Sequence, residues 1–579
     1  MSALAALGID CGGTHTDAAL LEISPSGQAR LLRSAKCRTR HEDLPGTVLE
    51  LLGLLARDPA TSQKLKELDR VTVGATLEVN SLIEGKADKV GLALSAGPGL
   101  KPEHFVLGSH HCVVPGGLDH RGEEAEPLRL DKLEREAARW AEEGVAGIAC
   151  VGKFSPRNPS HEIQMGKAAA KASGLPITLG HSLSGKLDFP KRIATAYFNA
   201  AVLRLHGRFL DALEEALRQA GINAQCRLLK ADGGAIPFSA ARRQAVDSIL
   251  SGPAASVMGA LAAWPGAASG CSLLLDIGGT TTDAAVFFNG SPILDRGGMR
   301  LLGRGTLIRS IATVSLGIGG DSLLKGKIGA SGPEIRVGPQ REGPAMAFGG
   351  KKATLLDALN FLDGSKGGER GDVEASRRGM EAFTAGMGLD SGQTPFVAEL
   401  CVEHALAEIR RHAHELLAKI NSGPIHTLAA LRALAEAKPE KACVVGGPAH
   451  CLRERLERAL AMPVELGPHA QVANAIGAAL AKPTASLEIY ADTGKGRLSA
   501  PSLDLAEKIP ASFSLEAAEK RACELLRESL RAQQVNDADV EVVQSDLFAT
   551  LDDYGRGARD MRVTVQARPG LAASLDAHA

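Results

Sequence analysis

Short apolar runs alternate with longer amphipathic stretches along most of the chain. Residues 71–73 and 90–94 have the length and composition of buried strands. Residues 130–143, 160–173 and 188–220 instead have helical spacing and length. Because strands and helices follow each other in this way, the pattern predicts an α/β architecture.

The same pattern suggests where the chain divides. A single hydrophobic core seldom grows beyond roughly 250–300 residues, so a chain of 579 residues predicts at least two large domains. A long helical stretch opens near 183–188, and Pro483 ends an Ala-rich helix because proline cannot continue it. The predicted division is therefore an N-terminal half, a second half and a small α+β tail with a helix and strands, at 1–185, 186–483 and 484–579, the tail elements being 515–532, 540–543 and 562–567.

One ten-residue segment occurs twice. Asp10-Cys-Gly-Gly-Thr-His-Thr-Asp-Ala-Ala19 and Asp276-Ile-Gly-Gly-Thr-Thr-Thr-Asp-Ala-Ala285 differ only at their second and sixth positions. Each copy follows one apolar run and precedes another, as in a β-hairpin with glycines at its tip. One copy in each half predicts two related half-domains that face each other.

These tips have the composition of a phosphate cradle. Glycines leave backbone N–H groups uncovered, and threonine hydroxyls add donors, so the predicted phosphate-binding residues are Gly12, Gly13, Thr14, Thr16, Gly278, Gly279, Thr280, Thr281 and Thr282. A single Asp-x-Gly-Gly-Thr is common in structural hairpins, whereas two copies in matching contexts favour a bipartite nucleotide clamp.

Carboxylates flank both tips. Asp10 and Asp276 would repel phosphate unless a hard cation lies between them, so we assign both to Mg²⁺, reached through water. Asp17 and Asp283 recur after the threonines, where a carboxylate orients a hydroxyl or positions the attacking group in phosphoryl transfer. All four aspartates are therefore candidate catalytic residues.

Two more glycine-rich segments lie in the second half. Gly446 and Gly447 end an apolar strand before a helix, where bare backbone suits an adenosine contact. Gly319 and Gly320 belong to a loop, 315–322, that we expect beside the phosphates. Asp321 in this loop suits a metal ligand, a base or simply a turn.

Other nucleotide motifs do not fit. Neither repeat carries the lysine of a P-loop, and neither opens a helix as a dinucleotide fingerprint does. Histidines at 104, 110, 111 and 120 surround Cys112 without metal-ligand spacing, so a solvated loop is favoured over a zinc site.

Composition narrows the class of protein. Hydrophobic residues are 44%, charged residues 23%, and the formal net charge is -1, which is typical of soluble globular proteins and predicts neither nucleic-acid nor membrane binding. Aromatic residues are only 3%, too few for the stacking platforms of single-strand binders. Ten cysteines without a C-x-x-C pair, and a start without a basic or long apolar segment, predict a cytoplasmic protein with reduced thiols.

Taken in order, the two hairpins and the adenosine segment resemble the superfamily of actin, sugar kinases and heat-shock chaperone ATPases. The finer resemblance is to the hydantoinase A / 5-oxoprolinase family. It rests on the first repeat and further stretches, at 73–80, 154–162, 232–236, 251–254, 276–283, 317–322 and 336–339. It covers about residues 6–480 and implies two ribonuclease H-like halves around a nucleotide cleft.

The resemblance implies an ATP- and Mg²⁺-dependent enzyme, or enzyme subunit, that activates a cyclic amide or imide such as a hydantoin, 5-oxoproline or a lactam for ring opening. Some members of the family work with a separate hydantoinase B-type subunit, and others belong to ATP-dependent carboxylases. A third alternative is a reactivase or chaperone-like ATPase that remodels a partner protein. The sequence is compatible with an oligomer. The chain departs from the family at residues 73–80, the segment that we expect to recognise the substrate.

Overall fold

The computed structural model describes residues 3–12, 15–40, 42–75, 82, 85–264, 269–330, 332–364, 371–422, 437–467, 472–536, 538–552 and 554–576. Its helices alternate with strands through most of the chain, as the apolar pattern predicts. The longer helices are Leu44–Leu55, Pro59–Lys66, Asp131–Glu142, Ser160–Ser173, Phe189–Gln219, Ser251–Ala263, Leu355–Asp363, Val373–Gly386, Thr394–Asn421, Ala449–Leu460, Ala473–Leu480 and Leu515–Ala532.

The first sheet forms the core of the N-terminal half. Its seven strands lie in the order β11-β10-β4-β1-β2-β3-β27. Their bounds are β1 Leu4–Cys11, β2 His15–Ile23, β3 Gln28–Arg38, β4 Arg70–Ala75, β10 Gln225–Leu229, β11 Ala235–Pro237 and β27 Ser574–Leu575. Strands β1 and β2 are antiparallel, whereas β4 and β10 run parallel to β1. Helices cover both faces, so β1 is almost wholly buried and apolar.

The second sheet repeats this arrangement. Strands β14-β13-β12-β20-β21 follow one another, and β17 pairs with β13. Again an antiparallel hairpin, β12 with β13, is followed by two strands parallel to its first member. The bounds are β12 Cys271–Ile277, β13 Thr282–Phe288, β14 Ser291–Pro292, β17 Thr313–Leu316, β20 Lys441–Val445 and β21 Val464–Leu466. The internal repeat therefore extends from the ten-residue segment to the strand order.

Two helices lie between these sheets, and we call Ser251–Ala263 and Ala473–Leu480 the inner helices. The first packs on the second sheet and the other packs on the first sheet. They approach each other at backbone distance: a Cβ built at Gly259 would lie 2.0 Å from the carbonyl oxygen of Ala473, and one at Gly477 would lie 2.3 Å from that of Ala255. Glycine is therefore required at this contact.

Two smaller sheets and two hairpins contain the remaining strands. Strands β7-β6-β5-β8-β9 form a sheet inserted in the first half, backed by Asp131–Glu142 and Ser160–Ser173. Strands β24-β23-β22-β26-β25 form a sheet near the C-terminus that packs on Leu515–Ala532. Two hairpins, β15-β16 and β18-β19, stand apart. The bounds are β5 Val90–Ala96, β6 His110–Leu118, β7 Glu124–Glu126, β8 Gly147–Gly152, β9 Ile177–Leu179, β15 Arg300–Leu301, β16 Arg304–Gly305, β18 Leu324–Gly329, β19 Gly332–Val337, β22 Ser486–Asp492, β23 Arg497–Ala500, β24 Leu505–Lys508, β25 Val540–Leu551 and β26 Gly557–Ala567.

Sheet membership does not follow the predicted division of the chain. Strands β10 and β11, from the predicted second half, and β27, from the predicted tail, all complete the first sheet. The division at 185/186 and 483/484 stays a prediction. None of the helices in the described part of the chain has the length and apolar content needed to cross a membrane.

Candidate nucleotide site

The two repeats form matching hairpins. Asp10 pairs with Asp17 across β1 and β2, and Asp276 pairs with Asp283 across β12 and β13. The turns close in the same way, because Gly12 N donates to the His15 carbonyl at 3.1 Å and Gly278 N donates to the Thr281 carbonyl at 2.9 Å. The predicted pair of hairpins is present, while Gly13 and Thr14 lie outside the described residues.

Asp10 is buried at the end of β1, with 4% of its surface exposed. Asn474 Nδ2 donates to its Oδ2 at 2.9 Å, and its Oδ1 is buried without a hydrogen-bond partner. Burial raises the pKa of Asp10 to about 6, against the opposing effect of the Asn474 hydrogen bond. An unpaired carboxylate oxygen of this kind fits a cation or its bound water.

Asp276 occupies the equivalent position in the second hairpin. Burial raises the pKa of Asp276 to about 6, while a hydrogen bond from Ser256 acts in the opposite direction and the charge of Asp283 adds to the rise. Asp10 and Asp276 are therefore alike in position and in the direction of their pKa shifts, although Asp10 is buried and Asp276 is half-buried. Asp10 accepts a hydrogen bond from Asn474 of one inner helix, and Ser256 of the other inner helix lies beside Asp276.

Asp17 and Asp283 differ more from each other. Asp17 Oδ1 forms an ion pair with Lys36 Nζ at 2.9 Å, on the neighbouring strand β3. Among the described residues, no cationic side chain forms an ion pair with Asp283; burial raises its pKa, and hydrogen bonds from Ser315 and Thr281 partly offset the rise. The repeat therefore conserves the carboxylate but not its partner.

The loop 315–322 lies directly on the second hairpin. Gly320 N donates to the Gly278 carbonyl at 2.9 Å, and Asp321 N donates to the Gly279 carbonyl at 2.7 Å. Thr282 Oγ1 donates to the Ile318 carbonyl at 2.7 Å, so this hydroxyl holds the loop. A Cβ at Gly319 would lie 2.6 Å from the Gly278 carbonyl oxygen, which explains the glycine there.

Asp321 projects beside the same tip. Its Oδ2 accepts from Arg341 Nη2 at 2.8 Å, and its Oδ1 accepts from Ala345 N at 3.1 Å. A Cβ at Gly279 would lie 2.8 Å from Asp321 Oδ2. Asp321 therefore anchors the loop after β19 to the hairpin tip, a role that the sequence does not indicate.

The adenosine segment joins this group. Strand β20 runs parallel to β12, and Gly446 follows it with φ +101. A Cβ at Gly446 would lie 2.1 Å from the carbonyl oxygen of Ile277, whereas one at Gly447 would meet no atom within 4 Å. Pro448 in turn lies against Gly320, since a Cβ there would be 2.9 Å from the proline Cγ. Three predicted glycine segments of the second half thus meet at one place.

Sequence reasoning missed Ser256 and Asn474. Ser256 Oγ donates to Asn474 Oδ1 at 2.7 Å, so the side chains that bond Asp276 and Asp10 also bond each other. The available signal was a lone polar residue inside a helix of small apolar residues, as in Ala-Asn-Ala-Ile-Gly-Ala-Ala-Leu480.

The histidine group at 104–120 differs from the predicted solvated loop. His110, His111 and Cys112 lie in strand β6, where Cys112 is buried and His110 Nε2 contacts Glu143 Oε2 at 2.9 Å. Within the described residues, no group of three or more His, Cys, Asp or Glu side chains is arranged to hold a metal ion. No disulfide joins any of the ten cysteines, all of which lie in the described part of the chain.

Comparison with known proteins gives a consistent family. The caprolactamase subunit alpha of Pseudomonas jessenii is 26% identical over 383 residues, which cover 61% of this chain and 53% of that protein. An uncharacterized protein of Methanocaldococcus jannaschii is 24% identical over 282 residues, 45% of this chain and 41% of its own length. The chain thus spans about half the length of these relatives.

Solved structures show the same fold. The ATP-dependent caprolactamase of Pseudomonas jessenii superposes with a TM-score of 0.68 at 19% identity, covering 97% of this chain and 87% of its own. A nucleotide-free acetone carboxylase gives a TM-score of 0.67 at 17% identity, covering 99% and 89%. The model of the hydantoinase/oxoprolinase N-terminal region matches residues 6–173, and that of hydantoinase/oxoprolinase matches residues 192–487. The chain therefore belongs to the hydantoinase/oxoprolinase family.

Proposed function

We propose that this chain uses ATP and Mg²⁺ to phosphorylate the carbonyl oxygen of a cyclic amide or imide and so prepares the ring for hydrolysis. The observation that carries the proposal is the pair of matched hairpins, each with a carboxylate of raised pKa at the same position. Family membership and the name of the Pseudomonas relative supply the substrate class: a hydantoin, 5-oxoproline or a lactam.

In this proposal the hairpin tips hold the phosphates and the segment after β20 holds adenosine. The phosphate contacts are Gly12, Gly13, Thr14, Gly278, Gly279, Thr280 and Thr281, with Gly319 and Gly320 beside them. Gly447 offers the open backbone for adenosine, while Gly446 keeps that backbone against Ile277. Thr16 and Thr282 act indirectly, since their hydroxyls bond Thr39 and the Ile318 carbonyl.

Asp10 and Asp276 would hold Mg²⁺ through water. The partnerless Oδ1 of Asp10 suits that role, because a buried carboxylate oxygen without a donor is costly unless a cation or water satisfies it. Bound Mg²⁺ would neutralise charge on the phosphate oxygens. Asp283 is the better candidate of the second carboxylate pair to orient a reactant, because Lys36 already holds Asp17.

The chemistry follows from the weakness of an amide as an electrophile. The carbonyl oxygen attacks the γ-phosphorus, an O–P bond forms, and the bond to the ADP oxygen breaks with ADP leaving. Water then adds to the carbon, the ring C–N bond breaks, nitrogen takes up a proton, and hydrolysis releases phosphate. The residues of this chain contribute positioning and charge stabilisation, which dominate phosphoryl transfer.

A purified-protein assay tests the proposal. Phosphate release from MgATP is measured with hydantoins, 5-oxoproline and lactams, with and without a candidate second chain. We expect one cyclic amide to stimulate turnover, and we expect Asp10→Asn or Asp276→Asn to lower kcat at least ~100-fold, as loss of transition-state electrostatics does. Asp58→Asn, at a helix N-cap outside the site, serves as the control.

Other outcomes point to different functions. Turnover stimulated by a protein and by no cyclic amide would identify a reactivase-type ATPase, and turnover that requires a carboxylation substrate would identify a carboxylase subunit. No binding of ATP with Mg²⁺ would contradict the proposal altogether.

The partner in the proposal is a second, hydantoinase B-type subunit, because the Pseudomonas relative is itself named as a subunit. We also propose a cytoplasmic location, because ten cysteines without a C-x-x-C pair suit reduced thiols.

A further inference from the structure

The two candidate metal carboxylates are joined by side chains of the inner helices. Asn474 Nδ2 donates to Asp10 Oδ2 at 2.9 Å, and Ser256 Oγ donates to Asn474 Oδ1 at 2.7 Å. The Ser256 hydroxyl also lies beside Asp276, where it lowers the pKa of that carboxyl against the effect of burial. Two side chains therefore connect Asp10 in the first half of the molecule with the surroundings of Asp276 in the second.

These two polar residues stand in apolar surroundings. The helix of Asn474 is otherwise alanine, isoleucine, glycine and leucine, and most of the helix of Ser256 is buried. A polar group placed in such an interface costs free energy unless its hydrogen bonds are made. The amide nitrogen of Asn474 donates to Asp10, and its amide oxygen accepts from Ser256. Contacts from both halves of the molecule therefore fix the position of Asn474.

The backbone around the bridge is closely packed. Gly259 and Gly477 bring the inner helices to backbone contact, and a Cβ at Gly8 would lie 1.8 Å from the Ala475 carbonyl oxygen. On the other side of Asp10, a Cβ at Gly74 would lie 3.0 Å from its Oδ1. The platform that carries Asn474 therefore sits at a fixed distance from β1, and little room remains for Asp10 to turn away.

We propose that Asn474 and Ser256 are positioning residues that hold Asp10 and Asp276 in one common orientation, so that the two halves present a single divalent-cation site. This inference rests on the proposed function, since it assigns a task to residues that surround the metal carboxylates. Asn474 keeps Asp10 Oδ2 occupied and would leave Oδ1 as the oxygen available to a cation or its bound water. Neither residue contacts nucleotide or substrate in this arrangement.

Ser256 is the adjustable member of the bridge. A hydroxyl has one hydrogen, and both Asn474 Oδ1 and the Asp276 carboxylate are acceptors, so the two groups share or compete for the hydrogen of Ser256. Removal of the hydroxyl should therefore loosen both carboxylates, although Asp10 lies in the opposite half. A purely local role would affect only Asp276.

The test compares nucleotide affinity with and without the metal. ATP binding to the full chain is measured by calorimetry in Mg²⁺ and in EDTA for wild type, Asn474→Ala, Ser256→Ala and the double variant. We expect each single variant to weaken binding about 10- to 100-fold in Mg²⁺, as loss of outer-shell partners of metal ligands does, and to change affinity in EDTA far less. The double variant should lose little more than the singles, because both residues act in one path.

Matched variants separate positioning from folding. Asn199→Ala removes a buried helical asparagine that bonds Thr178 and Val246, and Ser248→Ala removes a buried hydroxyl outside the site. Both should retain the wild-type dependence on Mg²⁺. Ser256→Thr keeps the hydroxyl and should also show the wild-type dependence on Mg²⁺. Paramagnetic resonance of Mn²⁺, in place of Mg²⁺, reports occupancy of the site without turnover.

The outcomes are distinct. Metal dependence that stays within about twofold of wild type in folded Asn474→Ala and Ser256→Ala would overturn the inference and leave the proposed function intact. Strictly additive losses in the double variant would also overturn it, because independent contacts would then account for both effects. A wild-type protein that binds ATP equally well without Mg²⁺ would overturn both.

Discussion

Adjacent glycines of the candidate site are constrained for different reasons. Gly446 has φ +101 and lies against the backbone of Ile277, so it serves the fold. Gly447 has space around its α-carbon and is free of that constraint. The sequence Gly-Gly does not distinguish these roles, because the difference arises only when β20 is placed beside β12.

Alanine at each position should separate stability from binding. Gly446→Ala should lower the free energy of unfolding by about 1–3 kcal/mol, since it forces a side chain into a left-handed conformation and a backbone contact. Gly447→Ala should leave stability within about 0.5 kcal/mol of wild type yet weaken ATP binding roughly 10-fold. Urea denaturation and calorimetry check both. If Gly447→Ala binds ATP as wild type does, adenosine does not use this backbone.

A buried histidine supplies a pH dependence at the residue scale. His181 Nδ1 contacts Glu162 Oε1 at 2.6 Å, and its Nε2 contacts Asp504 Oδ1 at 2.9 Å. Burial alone would lower the pKa of His181, but the charge and hydrogen bonds of Glu162 and Asp504 outweigh burial and raise it. Because the folded pKa lies above the unfolded one, this stabilisation is complete below about pH 6.5 and is lost as the pH rises through the folded pKa.

His181→Gln should therefore cost more stability at low pH. We expect a loss of roughly 3 kcal/mol at pH 6, the scale of breaking a buried ion pair, and a clearly smaller loss at pH 9. His110→Gln is the control, because its contact with Glu143 is at the surface and should be worth less than about 1 kcal/mol. Equal losses at both pH values for His181→Gln would show that its charge does not contribute.

At the scale of elements, the bounds of helices with a periodic apolar pattern were predicted well, whereas strand pairing and contacts between distant segments were not. Ser160–Ser173 and Leu515–Ala532 have the predicted bounds, because their apolar stripes and ends are local properties of the sequence. Strand β25 is longer than the predicted 540–543, since its polar middle is held by pairing with β26 and has no apolar signal. The Asn474–Ser256 contact joins residues 218 positions apart, so no local pattern could reveal it.

The close contact of the inner helices gives a prediction about stability. Gly259→Ala and Gly477→Ala should each lower the free energy of unfolding by about 3 kcal/mol or more, because the added carbon meets backbone that cannot move alone. Gly53→Ala, in the last turn of Leu44–Leu55 with open space around it, should instead raise stability by up to about 1 kcal/mol. Similar effects at all three positions, measured in urea, would contradict this account of the contact.

For the whole molecule, ligand binding should act on both halves together. The candidate site draws on strands of both sheets, so MgATP at about 100 times its dissociation constant should add about 2.7 kcal/mol to the free energy of unfolding. Calorimetry should record this as an upward shift of the main transition. The Asp10→Asn variant is the control and should show a much smaller shift. A shift confined to part of the heat absorption would mean that one half binds alone.

The backbone contact between the inner helices also determines where exchange with solvent begins. Clefts between two halves are often the first places to open, but here the floor of the cleft is two helices in contact at Gly259 and Gly477, surrounded by buried alanines. Amide hydrogens of these helices should be among the last in the protein to exchange with deuterium, at rates set by global unfolding. Any opening of the cleft that admits nucleotide should then leave the contact between the inner helices intact.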